Sequence, residues 1–467
     1  MSSSTPKKKK PLEFNAFFLL FLVIIAVFIF SFIVSPGAFD RQVVDGRSQV
    51  IPGSFHEITR ASLSFFDIFR SVPNGLIGAG SIVFLVLIVG GAVEVFNKTG
   101  AIPAGVSKLV KASETFHSSF VLILLFAIFA VLGGFLGWIE ASIPFVPLVI
   151  PIVLALGFDA MTAVALVILG SMVGFAIGPT NMYTIGIAHQ VAEMPLFSGF
   201  GLRFIAYLSF CGVALAYLMF YAYRTKNNPA RSLVADIDVS DLKFDQQASR
   251  DNVLETKHII SLCILAATIV MTVYGMIYLK WNINDMAAIF LLAGIIAGIV
   301  GRLSINDLIG AFLAGARGSM GGAMIVGIAR GVQWMLEKSA LFDPAINSLA
   351  SHLTDLPPLG SAMGIFITVC LLNGLVASGS AKAMALMPII IPLADLVGVT
   401  RQTAIFAYQF GDGLTNFAWF TYGTLLIFLS YGKVPLIRWY KFLWPLMVVF
   451  FIMAAIFLFI AVKINYI

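Results

Sequence analysis

Apolar residues run along this chain in blocks of about twenty, and polar residues fall between the blocks or interrupt them. Seven blocks are nearly unbroken: 16–35, 72–97, 200–223, 258–279, 284–301, 319–337 and 440–464. A helix needs roughly 20 apolar residues to cross a bilayer, so each block is a predicted span. Two longer stretches, 118–190 and 357–432, are equally apolar but are interrupted by Pro, Gly and polar residues.

The two interrupted stretches resemble each other. At an offset of 241 residues, Pro147-Leu-Val-Ile-Pro151 falls on Pro388-Ile-Ile-Ile-Pro392, and Gly133, Gly157 and Gly170 fall on Gly374, Gly398 and Gly411. Thr162 and Ala163 fall on Thr403 and Ala404, and Phe96-Asn-Lys-Thr lies near Leu336-Glu-Lys-Ser at an offset of 240. Shared Leu or Val would mean little in so apolar a chain, but paired prolines with matching glycines indicate an internal repeat. Each half is then expected to hold one hairpin that dips into the membrane and returns, at 118–156 and 357–397. Each also holds one broken helix, at 160–190 and 401–432. The expected bends are Gly137-Trp-Ile-Glu-Ala-Ser142 and Ser378–Lys382. The expected breaks are Gly178-Pro179-Thr180-Asn181 and Thr415-Asn416 through Thr421-Tyr422-Gly423.

Loop charges orient this pattern. With Lys7–Lys10 and the amphipathic stretch 98–117 (Lys98, Lys108, Lys111) at the cytoplasmic face, Arg302, Arg317, Lys433, Arg438 and Lys441 are also cytoplasmic. The external turns 191–199, 280–283 and 338–357 keep only Lys280 and Lys338 as basic residues, and the external loop 36–71 is charge-balanced. This satisfies the positive-inside rule. The two hairpins then enter from opposite faces, so the repeat is inverted, an arrangement of secondary transporters whose sites lie at paired Gly/Pro-interrupted segments. Making every apolar run a simple span fits the charges worse. The expected organisation is a disordered cytoplasmic N-terminus (1–15), a first half (16–223), a cytoplasmic linker (224–257) and a second half (258–467).

Composition agrees with the pattern. The chain is 60% hydrophobic and 11% charged, against about 25% charged in soluble proteins. The excess apolar surface must face lipid, so the fold class is an all-α polytopic membrane protein. The net charge of +6 does not indicate nucleic acid, because many basic residues flank apolar runs and no basic helix or zinc spacing is present. Cys211, Cys263 and Cys370 sit inside apolar runs without metal-ligand spacing and are expected to be core residues. The run Ala16–Val34 is too long for the ~7–15-residue core of a signal peptide and is expected to remain as the first helix.

Non-helical backbone at membrane depth must be buried in protein or line a water-filled cavity. There, freed carbonyls can bind a cation, and helix N-termini can present N–H groups to a carboxylate. Candidate substrate-binding residues are therefore Glu140 and Ser142 at the first bend and Thr180 and Asn181 at the first break. Ser378, Gly379, Ser380 and Lys382 at the second bend join them, with Asp412, Asn416 and Thr421 around the second break. Glu140, Ser378, Asp412 and Asn416 are also candidates for ion coupling. Gln409, Asp412, Thr415 and Asn416 fall at i, i+3, i+6 and i+7, one face of a helix. Arg330 and Glu94 lie within three turns of a span end, where snorkelling suits them as well as function does, and His189 reads as structural. No cofactor is expected beyond a coupling Na+ or H+, with Na+ placed at the hairpin tips.

Enzyme classes fit poorly. Phe-Gly-Asp-Gly is similar to the Gly-x-Gly-Asp signature of intramembrane aspartyl proteases, but position 409 is Gln and no partner Tyr-Asp is present. A phosphate loop, a Gly-x-Ser-x-Gly elbow and a His-rich metal motif are all missing, which argues against ATP-driven pumping. A channel would show polar stripes on several helices.

Several stretches carry a family resemblance. They are Ile143-Pro-Phe with Pro-Leu-Val-Ile-Pro, Gly174-Phe with Thr-Asn, and Gly186-Ile-Ala with Pro-Leu-Phe-Ser-Gly. Ser378-Gly-Ser and Gln409-Phe-Gly-Asp-Gly-Leu-Thr-Asn complete the set. From about residue 36 to 445 the chain resembles the YfcC-type branch of the C4-dicarboxylate anaerobic carrier family, in the ion-transporter superfamily. The resemblance implies a carrier of the bacterial inner membrane with a fold similar to the divalent-anion/sodium symporters. Those have a dimerising scaffold and a transport domain of two hairpins that moves as an elevator. Their hairpin tips would correspond to Glu140-Ala-Ser142 and Ser378-Gly-Ser380.

Two departures bear on the substrate. The branch has two adjacent acids before Ile-Pro-Phe where this chain has Glu140-Ala141, and Gly-Gln where it has Ala381-Lys382. The site is thus about two charges more positive, which favours a substrate of negative or zero net charge. The expected function is secondary transport of a small carboxylate-bearing metabolite, an amino acid or a C4-dicarboxylate, coupled to Na+ or H+ or run as exchange. The alternative is a cationic amino acid exchanger of the arginine/ornithine type. The expected partners are that substrate, membrane lipid and a second copy of the chain, with no nucleic acid. A lysine at membrane depth is costly unless held. Lys382 is therefore expected to bind the substrate carboxylate, to stand in for a sodium ion beside Asp412 or Glu140, or to snorkel.

Overall fold

The computed structural model describes residues 16–44, 47–60, 62–113, 117–242, 255–351 and 356–467. The N-terminal segment with Lys7–Lys10, and 243–254 of the linker, lie outside the described residues. Among those described, ten helices are long and apolar enough to cross a membrane.

The first is α1 (Ala16–Ile33), followed by β1 (Gly37–Ala38), β2 (Arg41–Val44), β3 (Arg47–Val50) and β4 (His56–Glu57). β1 pairs antiparallel with β4, and β2 with β3 in the register Arg41 to Val50. The loop 36–71 therefore adds a small β flap to an otherwise helical protein. Next come α2 (Asp67–Gly78), α3 (Gly80–Lys98), the amphipathic α4 (Ala101–Ser113), α5 (Ser118–Leu136) and α6 (Val146–Ala155). The block predicted at 72–97 is thus two helices, divided at Ala79.

α7 (Ala160–Ile168) runs through a π-turn into α8 (Gly174–Ile177), and α9 (Ile187–Val191) follows a second π-turn. Then come α10 (Phe200–Asn227), α11 (Thr256–Tyr278), α12 (Ile283–Val300), α13 (Ile305–Lys338) and α14 (Phe342–Ser351). α15 (Pro358–Asn373), α16 (Gly379–Val397), α17 (Arg401–Leu414), α18 (Gly423–Tyr431) and α19 (Leu436–Lys463) complete the chain.

α13 is longer than the predicted 319–337. It has 34 residues, about 51 Å at ~1.5 Å per residue. Asp307 and Arg317 end the apolar pattern but not the helix, because glycines let α13 pack backbone to backbone. A Cβ on Gly315 would lie 2.1 Å from the carbonyl oxygen of Gly90 in α3, and one on Gly75 of α2 would lie 2.2 Å from that of Gly327. Such close approach is how helices associate where lipid offers no hydrophobic drive.

The two interrupted stretches supply the interior. The span Ala160–Val191 is buried throughout its most apolar window, and α17 is buried from Gln402 to Leu414. A helix apolar on nearly every side, as α7 is, belongs in the centre of a bundle. In contrast, α17 is buried with its polar residues Gln402, Gln409 and Asp412 engaged inside the protein. Gly170 and Gly174 seat the span Ala160–Val191 against α5, where a Cβ on Gly174 would lie 2.5 Å from the Ala130 carbonyl oxygen.

The offset of 241 reappears in local geometry. α7 is capped by Asp159, whose Oδ1 accepts from the Thr162 N–H at 2.8 Å, and α17 by Thr400, whose Oγ1 accepts from the Thr403 N–H at 3.2 Å. Gly157 and Gly398, just before the caps, both adopt left-handed φ, +84° and +73°, a region that penalises a Cβ. The cysteines divide: Cys211 and Cys370 are buried, whereas Cys263 is exposed on α11. That departs from the expected core role, because the apolar pattern of an outward-facing helix does not say which side meets protein.

One ionic contact ties the start of α2 to the end of α13. Asp67 is buried, and it accepts from the Ser64 N–H at 2.8 Å, from Arg70 at 3.2 Å and from Lys338 at 2.6 Å. The Lys338 hydrogen bond holds the Asp67 carboxyl down at about 2. The stabilisation is therefore full above the ordinary carboxylate range and is lost as pH falls through about 4 towards 2. Asp67→Ala is expected to cost about 1.5 kcal/mol, the lower end for a charged hydrogen bond because Lys338 can rehydrate. Thermal unfolding in detergent at pH 7 checks this, and an unchanged midpoint would contradict it.

Candidate functional site

The first bend follows α5. Gly137 closes that helix in the left-handed region at φ +70°, and a 3₁₀ turn, Glu140–Phe145, leads into α6. The second bend occupies 374–378, between α15 and α16. It lies earlier than the expected Ser378–Lys382 because Ser378 is a helix N-cap, its Oγ accepting from the Ala381 N–H at 3.3 Å. Lys382 consequently stands in the first turn of α16.

Most of the polar residues at the bends and breaks serve the freed backbone. At the first break the Thr180 hydroxyl donates to the Phe135 carbonyl at 3.1 Å. Asn181 donates to the Phe175 carbonyl at 3.1 Å and accepts from the Tyr183 N–H at 2.9 Å. Gln409 donates to the Gly178 carbonyl at 2.8 Å, so α17 completes the break in the other half. Ser142 donates to the Trp138 carbonyl at 3.2 Å, Thr421 to the Gly374 carbonyl at 2.7 Å, and Tyr408 to the Gly379 carbonyl at 2.7 Å. Each is a group that lipid could not have satisfied.

Lys382 and Asp412 form a buried ion pair, Nζ to Oδ1 2.8 Å, with side chains 0% and 1% exposed. Lys382 also donates to Asn373 Oδ1. The Asn373 amide donates in turn to the Asp412 carbonyl at 2.8 Å, Thr415 Oγ1 at 2.8 Å and Asn416 Oδ1 at 2.9 Å. Gly379 lets the Asp412 carboxylate lie against the first turn of α16, since a Cβ there would come 3.0 Å from Oδ2. The positive end of the helix dipole favours an anion in that position. Asp412 Oδ2, Gln409 Oε1 and Thr184 Oγ1 are buried without a hydrogen-bond partner among the described residues.

A cavity of about 380 Å³ lies between the bends, lined by Glu140, Ser378, Gly379, Ser380, Asn416 and Thr421. A second, of about 530 Å³, continues towards the β flap, and Tyr183, Gln333 and Ser380 line both. Glu140 accepts from the Tyr422 hydroxyl at 2.9 Å, which joins the first bend to the second break. Six of the eleven candidates thus share one cavity wall. Ser142, Thr180, Asn181, Lys382 and Asp412 do not reach it. No group of three or more His, Cys, Asp or Glu side chains is gathered into a metal site among the described residues. His189 bonds to Gln402 Oε1 at 3.2 Å and accepts from the Phe197 N–H at 3.0 Å, a structural role.

Comparison with known proteins gives the family. The sequence pattern of the C4-dicarboxylate anaerobic carriers matches residues 15–463. The chain belongs to that family. It is a multi-pass secondary transporter and not an enzyme. It is 28% identical to an Escherichia coli (strain K12) protein named "Putative basic amino acid antiporter YfcC", over 94% of each chain. It is 30% identical to an uncharacterized protein of Haemophilus influenzae (strain Rd), over 85% of this chain and 78% of that one. Among solved structures it is similar to the YdaH transporter of Alcanivorax borkumensis, with TM-score 0.42, 16% identity and coverage of 97% and 99%. It is also similar to Neisseria gonorrhoeae MtrF, with TM-score 0.43, 15% identity and coverage of 97% and 96%. Both structural likenesses are distant.

Sequence reasoning passed over Asn373, although it is a lone amide in the apolar arm of α15, and over the cavity residues Tyr183, Gln333 and Tyr422. The isolated amide was a usable signal, whereas the others depend on which helices meet. Removing one member of a buried ion pair costs roughly 3–5 kcal/mol by stranding the other charge. Lys382→Met and Asp412→Asn are each expected to lower the thermal midpoint, and the double variant to recover much of the loss. Additive losses would show that the two side chains do not act as a pair.

Proposed function

We propose that this carrier moves a small carboxylate-bearing metabolite, an amino acid or a C4-dicarboxylate, through the cavity between its two bends. The observation that carries this reading is the cavity wall itself, which takes Glu140 from the first bend, Ser378–Ser380 from the second, and Asn416 and Thr421 from the second break. The family name supports a dicarboxylate and the name of the Escherichia coli relative supports an amino acid. The repeat at offset 241, taken with the loop charges, supports two hairpins that enter from opposite faces of a bacterial inner membrane. The N-terminus is then cytoplasmic. In this reading the hairpins and broken helices move together past the remaining helices as an elevator.

The burial of Lys382 supports one of its expected roles over the others. Its ammonium is taken up by Asp412 and Asn373 and does not reach the cavity. A tethered cation then fills the position beside Asp412, and transport runs as exchange without drawing on sodium.

Counterflow in proteoliposomes, across a panel of amino and dicarboxylic acids, is expected to show saturable uptake that is unchanged when K+ replaces Na+. Lys382→Gln is expected to make uptake sodium-dependent. Absence of saturable uptake for every panel member would overturn the substrate class. A sodium requirement in the unmodified protein would overturn the tethered cation.

A further inference from the structure

Among the described residues, two charged side chains line the 380 Å³ cavity, Glu140 and Arg330. They have opposite signs and come from separate elements, Glu140 from the first bend and Arg330 from α13. The Lys382–Asp412 pair behind the wall cancels itself. The charged lining of the cavity therefore sums to zero, with one anion and one cation.

Arg330 is half-buried, and its guanidinium donates through Nη1 to Gln333 Oε1. Gln333 Nε2 donates to Glu337 Oε1 at 2.8 Å. The three residues sit at i, i+3 and i+7 on one face of α13, a stripe that runs from the inner cavity into the outer one. Gln333 holds one arm of the guanidinium, while Nε and Nη2 make no hydrogen bond among the described residues. A planar fork with two parallel donors free is matched to a carboxylate, which it binds bidentately. On Glu140, Oε1 is engaged by the Tyr422 hydroxyl, so Oε2 remains for a donor. Much of the remaining wall is apolar, including Trp138, Phe175, Met276, Ile283 and Val326.

Resting on the reading of the cavity as the transport site, we infer that Arg330 receives the carboxylate and Glu140 the ammonium of a dipolar amino acid of zero net charge with an apolar side chain. Other charge patterns are rejected by repulsion, which discriminates as strongly as attraction does. A dicarboxylate sets its second carboxylate against Glu140. A diamine sets an ammonium against Arg330. A cationic amino acid brings a surplus positive charge with no second anion in the wall.

The test is binding to the purified full-length chain in detergent, followed by tryptophan fluorescence and thermal shift, alongside uptake in proteoliposomes. The probes are L-leucine, L-ornithine, succinate and 1,4-diaminobutane. Leucine is expected to bind tightest, and Arg330→Gln and Glu140→Gln each to weaken it by at least about tenfold. Arg330→Lys should restore part of the loss, with unchanged elution on size exclusion showing that the variants are folded. Leucine affinity unaltered in Arg330→Gln, or succinate, ornithine or diaminobutane binding as well as leucine, would overturn the inference and leave a carrier of another specificity. Uptake of none of the four by the unmodified protein would overturn the transport reading as well.

Discussion

Backbone that leaves the helix inside a bilayer must find its hydrogen bonds within the protein, and the arrangement of this molecule follows from that need. Two bends and two breaks free carbonyls and N–H groups in the buried centre. The side chains that answer them come from other elements: Gln409 of α17 for Gly178, Thr180 for Phe135, Thr421 for Gly374, and Asn373 of α15 for Asp412. The Gln409 bond, with that of Tyr422 to Glu140, connects the two interrupted stretches in space. These bonds also engage Thr180 and Thr421, two of the residues that the sequence marks as candidate ligands.

Close packing sets where the breaks meet. A Cβ on Gly413 would lie 2.1 Å from Ala176 Cα, so α17 and α8 touch backbone to backbone just beside both interruptions. The ion pair of Lys382 with Asp412 then joins the first turn of α16 to the same helix. That pair is internally neutral and fully enclosed, so the charges in the cavity wall are those of Glu140 and Arg330. Charge at depth is tolerated here in two ways, by pairing at Lys382 and by exposure to a cavity at Arg330.

Local features were legible where local physics decides them. Apolar blocks became spans, the paired prolines and glycines became helices with matching caps, and Gly157 and Gly398 became left-handed turns at the same offset. Local signals failed where packing overrides them. Charged and glycine-rich residues ended the predicted span at 319, yet α13 begins at Ile305 because glycines seat it against α3. Ser378 was read as part of a bend, but a serine that can cap starts a helix, and Lys382 moved with it.

By itself the sequence determined that this is a multi-pass helical membrane protein with two similar interrupted stretches, because hydrophobic length and the placement of Pro and Gly act within a few residues. It also singled out Lys382 as a costly charge that requires a partner, and Glu140 and Asp412 as candidate ligands. Which partner each one found was decided only by the tertiary structure. Lys382 went to Asp412 and Asn373 and does not reach the cavity, while Arg330, which the sequence left open between snorkelling and function, lines its wall. The reason is physical. The cost of a buried charge can be read from one residue, but what offsets it depends on how separate helices pack.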